Sequence, residues 1–505
     1  MARFGFVGPA YRSQSVNANA QMCMNFYVEN DESGSGKSAM QLYPTPGSVL
    51  FSAGTQYGPL RAQATINGRL FVVDGTNFQE VSSAGVRTTF GQVLNDAKPA
   101  SFGIGPTFLS IAAGGGAYSF KLDTNTFGTI DTSGGPALQG PIVQMAFLDG
   151  YFIALLANSN RFQLSALEDA SSWDPLDIAE VSVYPDNVTA MIVDHRELWM
   201  CGKQAAVGYS NTGNPLFPLD VIPGAFIEQG TLATWGLAKI DNTVFSIGGD
   251  VRGAGMAWRQ QGYLPVRISN HAIETAWQGY ATISDAIAYA YQDQGHSFYV
   301  VYFPSANKTW VYDVATQMWH ERGFFTLGAF VAHRSQNHSF VFDKHLVGDW
   351  KTGNIYQMKI PTQVGSAWTF ADDFGNSIHR IRRAPHISAE EQFLMHQSLQ
   401  VDMETGLGPQ PPLLDGNGSP RGPVMTLRWS DDGGHSWSNG YDRDCGQAGQ
   451  YVKRVIWRRL GRSRNRVYEV SFADAVPCRI VDAYLVASPG FEPRERLASQ
   501  LRKQA

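Results

Sequence analysis

The sequence predicts an all-β protein, a degenerate β-propeller followed by a smaller C-terminal β domain. Aromatic residues and glycine are abundant, with 29 Phe, 20 Tyr, 12 Trp and 52 Gly in 505 residues. Charged residues make up only 16%, against about 25% in an average soluble domain, so few solvated helix faces are available. Short apolar runs separated by glycine-rich turns recur along the chain, and long helical periodicity is scarce.

The first part of the chain contains several predicted β-hairpins. Gly68–Val73 is followed by the turn dipeptide Asp74-Gly75 and then by Phe78–Val81, a pattern typical of a β-hairpin. Strand pairs spaced in this way indicate four-stranded sheets repeated around an axis, with about five to seven blades. A pair of β-sandwiches would show similar strand spacing and is the main structural alternative. The pattern returns in Ile142–Phe147, Asp149-Gly150 and Tyr151–Leu156.

Composition divides the chain into five segments. Gly406–Pro423 holds five glycines and five prolines, which excludes a ladder or a helix and indicates a loop or linker. Ala389–Leu399 is predicted to form a short helix, and Glu492–Lys503 a charged helical tail. The predicted segments are an N-terminal arm (1–49), a propeller-like domain (50–365), a linker with the short helix (366–423), a C-terminal β domain (424–490) and the tail (491–505).

Charge and cysteine usage exclude several classes of function. The net charge is −5, with −7 in residues 1–370 and +2 in residues 371–505. A nucleic-acid-binding protein that is basic over its whole chain is therefore excluded. Cys23, Cys201, Cys445 and Cys478 are too widely spaced for a disulfide framework or a zinc ribbon, and are expected to be reduced. No apolar run reaches the roughly 18–20 residues of a membrane span, and the first ten residues lack a signal-peptide pattern.

Signatures of catalysis or ligand binding are absent from the sequence. Gly34–Ser38 ends like a phosphate-binding loop, but Asp31 occupies the place of the glycine that such a loop requires. His333, His338 and His345 could approach one another on adjacent strands, although ordinary surface or core histidines are favoured over metal ligands. We therefore predict no catalytic residue, no cofactor and no metal.

One motif has a local structural explanation. Ser430–Trp437 fits the Asp-box pattern S-x-D-x-G-x-[ST]-W, with Ser436 in the usual threonine place. Asp432 is expected to accept backbone N–H groups of the turn, Gly434 to take positive φ and Trp437 to pack underneath, with Ser430 opening the motif. A structural hairpin is favoured over sugar chemistry because the box occurs once, outside the predicted blades.

The strongest charge feature is the segment 451–467, which carries seven Lys or Arg and no acidic residue. Its arginines alternate with aromatic and apolar residues, as in subunit interfaces and in nucleic-acid grooves. An interface is favoured, with a solvated β face and phosphate contact as alternatives. The candidate interface residues are Arg454, Arg458, Arg459 and Arg462. His379–Arg383 is a smaller cluster with the same alternatives.

Several short segments carry a family resemblance. Asn25–Glu29 with Tyr43–Gly47, and Gly449–Val455 with Trp457–Arg462 and Arg466–Glu469, resemble the opening and closing parts of the packaged-DNA stabilisation proteins of short-tailed bacteriophages, also called tail hub or nozzle proteins. The resemblance spans nearly the whole chain, although the middle is generic β structure.

The resemblance implies a structural virion protein, not an enzyme, located in the phage tail and assembled in the host cytoplasm. Such proteins form a ring, expected to be a homohexamer, below the portal and its adaptor. They extend the channel, help retain packaged DNA, pass it during ejection with transient non-specific contact, and dock tail spikes or fibres and a needle or plug. The alternatives are a propeller glycosidase or sialidase-like enzyme, and a glycan- or receptor-binding tail component.

Overall fold

Seven four-stranded antiparallel units follow one another in the computed structural model, which describes residues 2–490 except positions 57, 134–136, 250–252, 254, 366 and 410. The innermost strand of the first unit packs against that of the seventh, so the units close into a ring. The predicted fold class is confirmed, as a seven-bladed β-propeller followed by a β-sandwich.

The strands of each blade are given from the axis outward. Blade 1 has Leu60–Ile66, Arg69–Asp74, Asn77–Val81 and Arg87–Gln92; blade 2 has Ser101–Ile104, Phe108–Ala113, Gly116–Lys121 and Thr126–Ile130; blade 3 has Ile142–Leu148, Tyr151–Leu156, Arg161–Ala166 and Asp169–Glu180; blade 4 has Ala190–Asp194, Glu197–Cys201, Ala206–Asn211 and Leu219–Ile227. Blade 5 has Ala238–Ile240, Thr243–Gly249, Gly255–Gln261 and Leu264–Arg267; blade 6 has Ile287–Asp293, His296–Phe303, Lys308–Asp313 and Met318–Thr326; blade 7 has Ser335–Val341, Lys344–Asp349, Ile355–Lys359 and Gly47–Ser52.

Turn chemistry explains why these strands pair locally. In every blade except blade 2, a two-residue turn joins the first two strands, and both of its residues have positive φ. Asn67-Gly68, Asp149-Gly150 and Gln294-Gly295 are three of these turns. Positive φ at both positions gives the turn twist that matches the right-handed twist of paired strands. Apolar clusters, such as that of Phe71, Phe78 and Phe120 between blades 1 and 2, then fill the space between neighbouring blades.

The ring is closed by the N-terminal segment. Gly47–Ser52 pairs antiparallel with Ile355–Lys359 and so supplies the fourth strand of blade 7, and the short strand Asp372–Asp373 pairs with it in parallel. The earlier strands of this segment, among them Ala20–Met24 and Phe26–Asn30, belong to the sandwich. The described part of the predicted arm (1–49), residues 2–49, is thus shared between both domains.

The sandwich consists of two sheets. In the first, the strand order is Phe26–Asn30, Met40–Pro44, Ile480–Pro489, Leu394–Met403 and Val455–Arg458, with Ala2–Arg3 and Arg462–Ser463 added at its sides. In the second, the outermost strand of blade 6 is followed by Ala20–Met24, Arg380–Arg383, Asn465–Phe472, Val424–Ser430 and Tyr441–Asp444. The second sheet is therefore continuous with blade 6. Short strands at its margins and in the connections are Tyr11–Arg12, Ala329–Ala332, Thr362–Val364, Ala367–Thr369, Asp372–Asp373, Asn376–Ser377, Ile387–Ser388, Leu413–Leu414 and Pro420–Arg421.

The predicted helix at Ala389–Leu399 is wrong. Glu390 and Glu391 have φ of 49° and 63°, outside the helical region, and the chain then enters the strand Leu394–Met403. That strand pairs with Ile480–Pro489, so distant pairing overrides the weak local helix preference. The one α-helix in the described residues is His271–Gln278, capped by Asn270.

The charged C-terminal tail predicted for residues 491–505 lies outside the described residues. Within the described part of the chain, no helix combines the length and the apolar character that crossing a membrane requires.

Candidate interaction surfaces

Polar side chains link neighbouring blades at the propeller axis. Residues in or just before the innermost strands of the seven blades line a cavity of about 280 Å³, close to the lower limit of small-molecule sites at about 300 Å³. Gln144 bridges its walls, donating from Nε2 to the carbonyl of Thr234 at 3.2 Å and accepting from the N–H of Met191 at 2.7 Å. Gln336 donates to the carbonyl of Leu60 at 2.7 Å. A second cavity of about 940 Å³ is lined by residues of blades 5, 6 and 7, among them Ile240, Tyr291 and His338.

Three of the four predicted interface arginines lie on the outer edge of the sandwich. Val455–Arg458 is the last strand of the first sheet, where burial of Val455 and Trp457 leaves Arg454 and Arg458 outward. Arg459 follows in the left-handed region and is also exposed. Arg454 donates from Nε to Oε1 of Gln400 at 3.1 Å. The strand thus presents cations along an edge that pairs with no further strand among the described residues.

The fourth predicted arginine packs on an aromatic ring. The guanidinium of Arg462 lies 4.8 Å from the ring centroid of Phe393, and that of Arg464 lies 4.6 Å from it. Within the described residues, no carboxylate pairs with Arg454, Arg458, Arg459 or Arg462. These four side chains are therefore brought together as a surface of uncompensated positive charge.

Other cations of the same segment have internal partners. Arg466 is buried and forms a bidentate pair with Asp431, at 2.6 and 2.7 Å, while stacking on Trp429. Lys453 pairs with Asp444 at 2.8 Å. The run of seven cations in the sequence thus combines surface cations, of which Lys453 has a carboxylate partner, with the buried Arg466, and spacing alone does not separate them.

The second basic cluster is internal as well. Arg380 and Arg382 are fully buried, and burial lowers the pKa of each to about 10. Arg382 donates to the carbonyls of Phe6 and Pro9, at 2.6 and 2.9 Å, and so ties down the N-terminal segment. Arg383 pairs with Glu469 at 2.8 Å. The buried Arg380 and Arg382 thus hold the sandwich together, while His379 and Arg383 are half-buried.

The Asp box forms a tight turn in the sandwich. Asp432 accepts the N–H groups of His435 and Ser436 at 3.0 and 2.9 Å. It also accepts the hydroxyls of Ser436 and Ser430, at 2.5 and 2.7 Å, and these hydrogen bonds hold the pKa of Asp432 below its usual range. Gly434 has φ of 102°, which a larger residue rarely adopts. Trp437 lies between the guanidinium groups of Arg383 and Arg428, at 4.5 and 5.0 Å.

The three histidines considered as metal ligands are divided between two places. His338 and His345 are joined by a 3.0 Å hydrogen bond at the mouth of the propeller axis. His333 instead pairs with Asp373 at 2.8 Å, inside the protein. No group of three or more metal-binding side chains occurs in the residues that the structure describes.

A hydrogen-bonded triad that sequence reasoning missed, with His296 and Asp313 buried and Glu29 half-buried, joins the N-terminal segment to blade 6. His296 hydrogen-bonds to Asp313 through Nδ1 at 2.8 Å and to Glu29 through Nε2 at 2.9 Å. Burial lowers the pKa of His296, but the hydrogen bonds and charges of both carboxylates outweigh burial and raise it to about 9. No local spacing marks this triad, because Glu29 lies 267 positions from His296.

Comparisons with known proteins agree with the two-domain architecture. A family model described as bacteriophage P22 Gp10, beta-propeller, matches residues 7–363, and one described as bacteriophage P22 Gp10, beta-sandwich, matches residues 379–487. The two matches confirm the family resemblance that the sequence predicts. A search of curated proteins gave no match.

Solved structures similar to the chain include a β-propeller domain. The WD40 β-propeller domain of Doa1 is 10% identical with a TM-score of 0.39, covering 64% of this chain and 99% of that one. The N-terminal domain of Nup159 is 10% identical with a TM-score of 0.39, covering 67% and 98%. Hydrazine synthase of Kuenenia stuttgartiensis is 9% identical with a TM-score of 0.37, covering 60% and 96%.

Proposed function

We propose that this chain, which belongs to the bacteriophage P22 Gp10 family of structural phage tail proteins, is the hub, or nozzle, of a short tail. In this role a ring of copies, a homohexamer, extends the channel of the portal and its adaptor protein. The ring helps retain packaged DNA, passes it during ejection and docks tail spikes or fibres and a needle or plug. Assembly takes place in the host cytoplasm, and the finished protein belongs to the virion.

The observation that carries the proposal is the family match over both domains, in chain order. The propeller axis adds a constraint on how a channel is built. Because the blades are linked there by hydrogen bonds and leave cavities of about 280 and 940 Å³, we place the lumen of the nozzle between copies. A ring is therefore the form in which this chain can surround DNA.

Charge supports a conduit more than a DNA-binding surface. Residues 1–370, which include the whole propeller, carry a net charge of −7. A wall of this sign repels phosphate groups at short range and lets DNA slide, whereas a basic wall would bind it and release counterions. The exposed arginines of the sandwich are then better suited to contacts between proteins than to the genome.

The test uses a phage in which the gene for this chain is inactivated and supplied from a plasmid. Without the chain, we expect heads that package DNA and then lose it, measured as the fraction of DNA-filled heads in electron micrographs. With a chain carrying a small epitope label, we expect the label at the tail, next to the portal vertex. Unlabelled mature particles, or stable filled heads without the chain, would contradict the proposal. Turnover of host glycans by the purified monomer would favour the glycosidase alternative instead.

A further inference from the structure

The exposed arginines lie at one end of the molecule. In the first sheet of the sandwich, Phe26–Asn30 is the strand next to the propeller, held there by the hydrogen bond between Glu29 and His296. Val455–Arg458 is at the opposite edge of the same sheet. The outer edge of the second sheet, Tyr441–Asp444, meets it there through a 2.6 Å bond from Trp457 Nε1 to the carbonyl of Tyr441. We call this end, with the exposed cations of residues 443–464, the basic pole.

The basic pole also exposes apolar side chains. Tyr451 and Val452 are 70% and 94% exposed, immediately before the arginines. Arginine and tyrosine are enriched in protein interfaces, where the guanidinium pairs with carboxylates and the ring supplies contact area. The mixture indicates a partner that is acidic and partly apolar.

The propeller carries a surface of that character on blades 3 and 4. Residues 142–227, which form these two blades, contain 10 acidic side chains and three Lys or Arg. The outermost strand of blade 3, Asp169–Glu180, has exposed Asp174 and Glu180 with half-buried Asp169 and Asp177, and none of these four pairs with a cation in the described residues. Leu176, between them, is 86% exposed. We call this strand, with exposed Asp220 on the outermost strand of blade 4, the acidic edge.

The acidic edge and the basic pole lie on opposite sides of the chain. The sandwich extends from the outermost strand of blade 6. Blade 3 is three blades away in a ring of seven, as far from blade 6 as a blade can be. The outermost strand of blade 3 also pairs with no further strand in the described residues, so its outward edge is open to a neighbour.

We propose that the acidic edge is the docking surface for the basic pole of a second copy of this chain, in a head-to-tail contact that repeats around a ring. This inference rests on the proposed hub function and names the surfaces that would join its copies. A two-fold symmetric contact would place each surface against its own like and so oppose charges of equal sign. A heterologous contact pairs opposite charges, and it closes into a ring when the rotation between copies permits.

The test reverses each surface separately. The basic-pole variant combines Arg454→Glu, Arg458→Glu and Arg459→Glu. The acidic-edge variant combines Asp174→Arg and Asp177→Arg. Each is supplied from a plasmid to the phage that lacks the gene, and the amount of chain in purified particles is measured by quantitative mass spectrometry. Circular dichroism and thermal unfolding of each purified variant show that it is folded.

Complementation distinguishes a contact from two unrelated effects. We expect each variant alone to reduce incorporation by about tenfold or more, because like charges then face each other. When both variants are supplied together, the reversed pole of one variant meets the reversed edge of the other, and their two unreversed surfaces meet as in the wild type. Copies that alternate around the ring then have opposite charges at every contact, so we expect incorporation to recover. A single chain carrying all five substitutions should recover as well. Lys98→Glu and Asp123→Lys, at exposed positions outside both surfaces, are matched controls and should leave incorporation unchanged.

The outcomes separate this inference from the function on which it rests. If the wild-type chain is absent from particles, the hub function itself is wrong. If the wild-type chain is incorporated but the acidic-edge variant is incorporated equally well, the docking surface is wrong and the hub function stands. Folded variants that each fail alone, and fail again when combined, would also overturn the pairing of these two surfaces.

Discussion

The hydrogen-bonded triad around His296 predicts how the stability of the chain depends on pH. Its imidazole is 5% exposed and lies between Asp313 and Glu29, so it connects blade 6 to a strand of the sandwich. The perturbation is His296→Gln, which keeps a polar side chain at this position and removes the titrating group.

The magnitude follows from the pKa of His296, which is raised from 6.5 to about 9 in the folded chain. Since each pKa unit corresponds to 1.36 kcal/mol, the shift stabilises the folded state by about 3 kcal/mol. The folded state holds the proton more tightly than the unfolded chain. The stabilisation is therefore fully present below pH 6.5 and is lost as the pH rises through about 9.

The assay is chemical unfolding at several pH values between 6 and 10, followed by tryptophan fluorescence. We expect the difference in free energy of unfolding between wild type and His296→Gln to be largest at pH 6 and to shrink by about 3 kcal/mol by pH 10. His435→Gln, at an exposed position of the Asp-box turn, is the control and should not change the pH profile. A difference for His296→Gln that stays constant from pH 6 to 10 would refute the reasoning.

Three other predictions concern single side chains. Burial lowers the pKa of His320 and of His338 to about 3. Below pH 6.5 the free energy of unfolding of the wild type should therefore fall by up to about 1.4 kcal/mol per pH unit for each histidine. Denaturant unfolding at a series of acid pH values tests this, and His338→Gln should make the free energy of unfolding depend less steeply on pH. Asn25→Ala removes hydrogen bonds to the N–H and carbonyl of Gly323 and to the carbonyl of His379, so the free energy of unfolding in denaturant should fall by about 3–5 kcal/mol. Asn25→Gly loses the same hydrogen bonds, but glycine adopts the φ of 57° without strain, so the loss should be about 1 kcal/mol smaller. Trp437→Ala should lower thermal stability by about 2–3 kcal/mol through loss of its two arginine contacts, with no loss for the exposed control Asn439→Ala.

The sequence predicts the strands of a blade where the turn between them contains residues typical of a hairpin, such as Asp-Gly. Asp149-Gly150 is a strong hairpin dipeptide, and its strands follow as the pattern predicts. His195-Arg196 and Phe342-Asp343 adopt the same positive-φ turn without Gly, so sequence gives no signal there. The blade count also depends on Gly47–Ser52, whose partner strand lies about three hundred residues later. Such a pairing is decided by tertiary packing and leaves no local trace.

The sequence shows which residues are basic, but it does not show which of them are exposed. Alternation predicts that Arg454 and Arg458 share one face of a strand, and the structure places both on the outer edge of the sandwich. Arg466 belongs to the same run of cations, yet Asp431 and Trp429 bury it. Its partner is 35 positions away, and only the fold reveals that this charge is compensated. Distinguishing an interface arginine from a core arginine therefore requires the partner to be known.

The course of the N-terminal segment determines how the two proposed contact surfaces are held. It crosses the sandwich at Ala20–Met24 and Met40–Pro44 and then closes blade 7 at Gly47–Ser52. Buried Arg382 and Asn25 bind this segment to the sandwich and to blade 6. The sandwich cannot rotate against the propeller without breaking these buried hydrogen bonds, each costing about 1–3 kcal/mol when left unmade. The angle between the basic pole and the acidic edge is therefore built into the folded chain, and the number of copies in a head-to-tail ring follows from that angle.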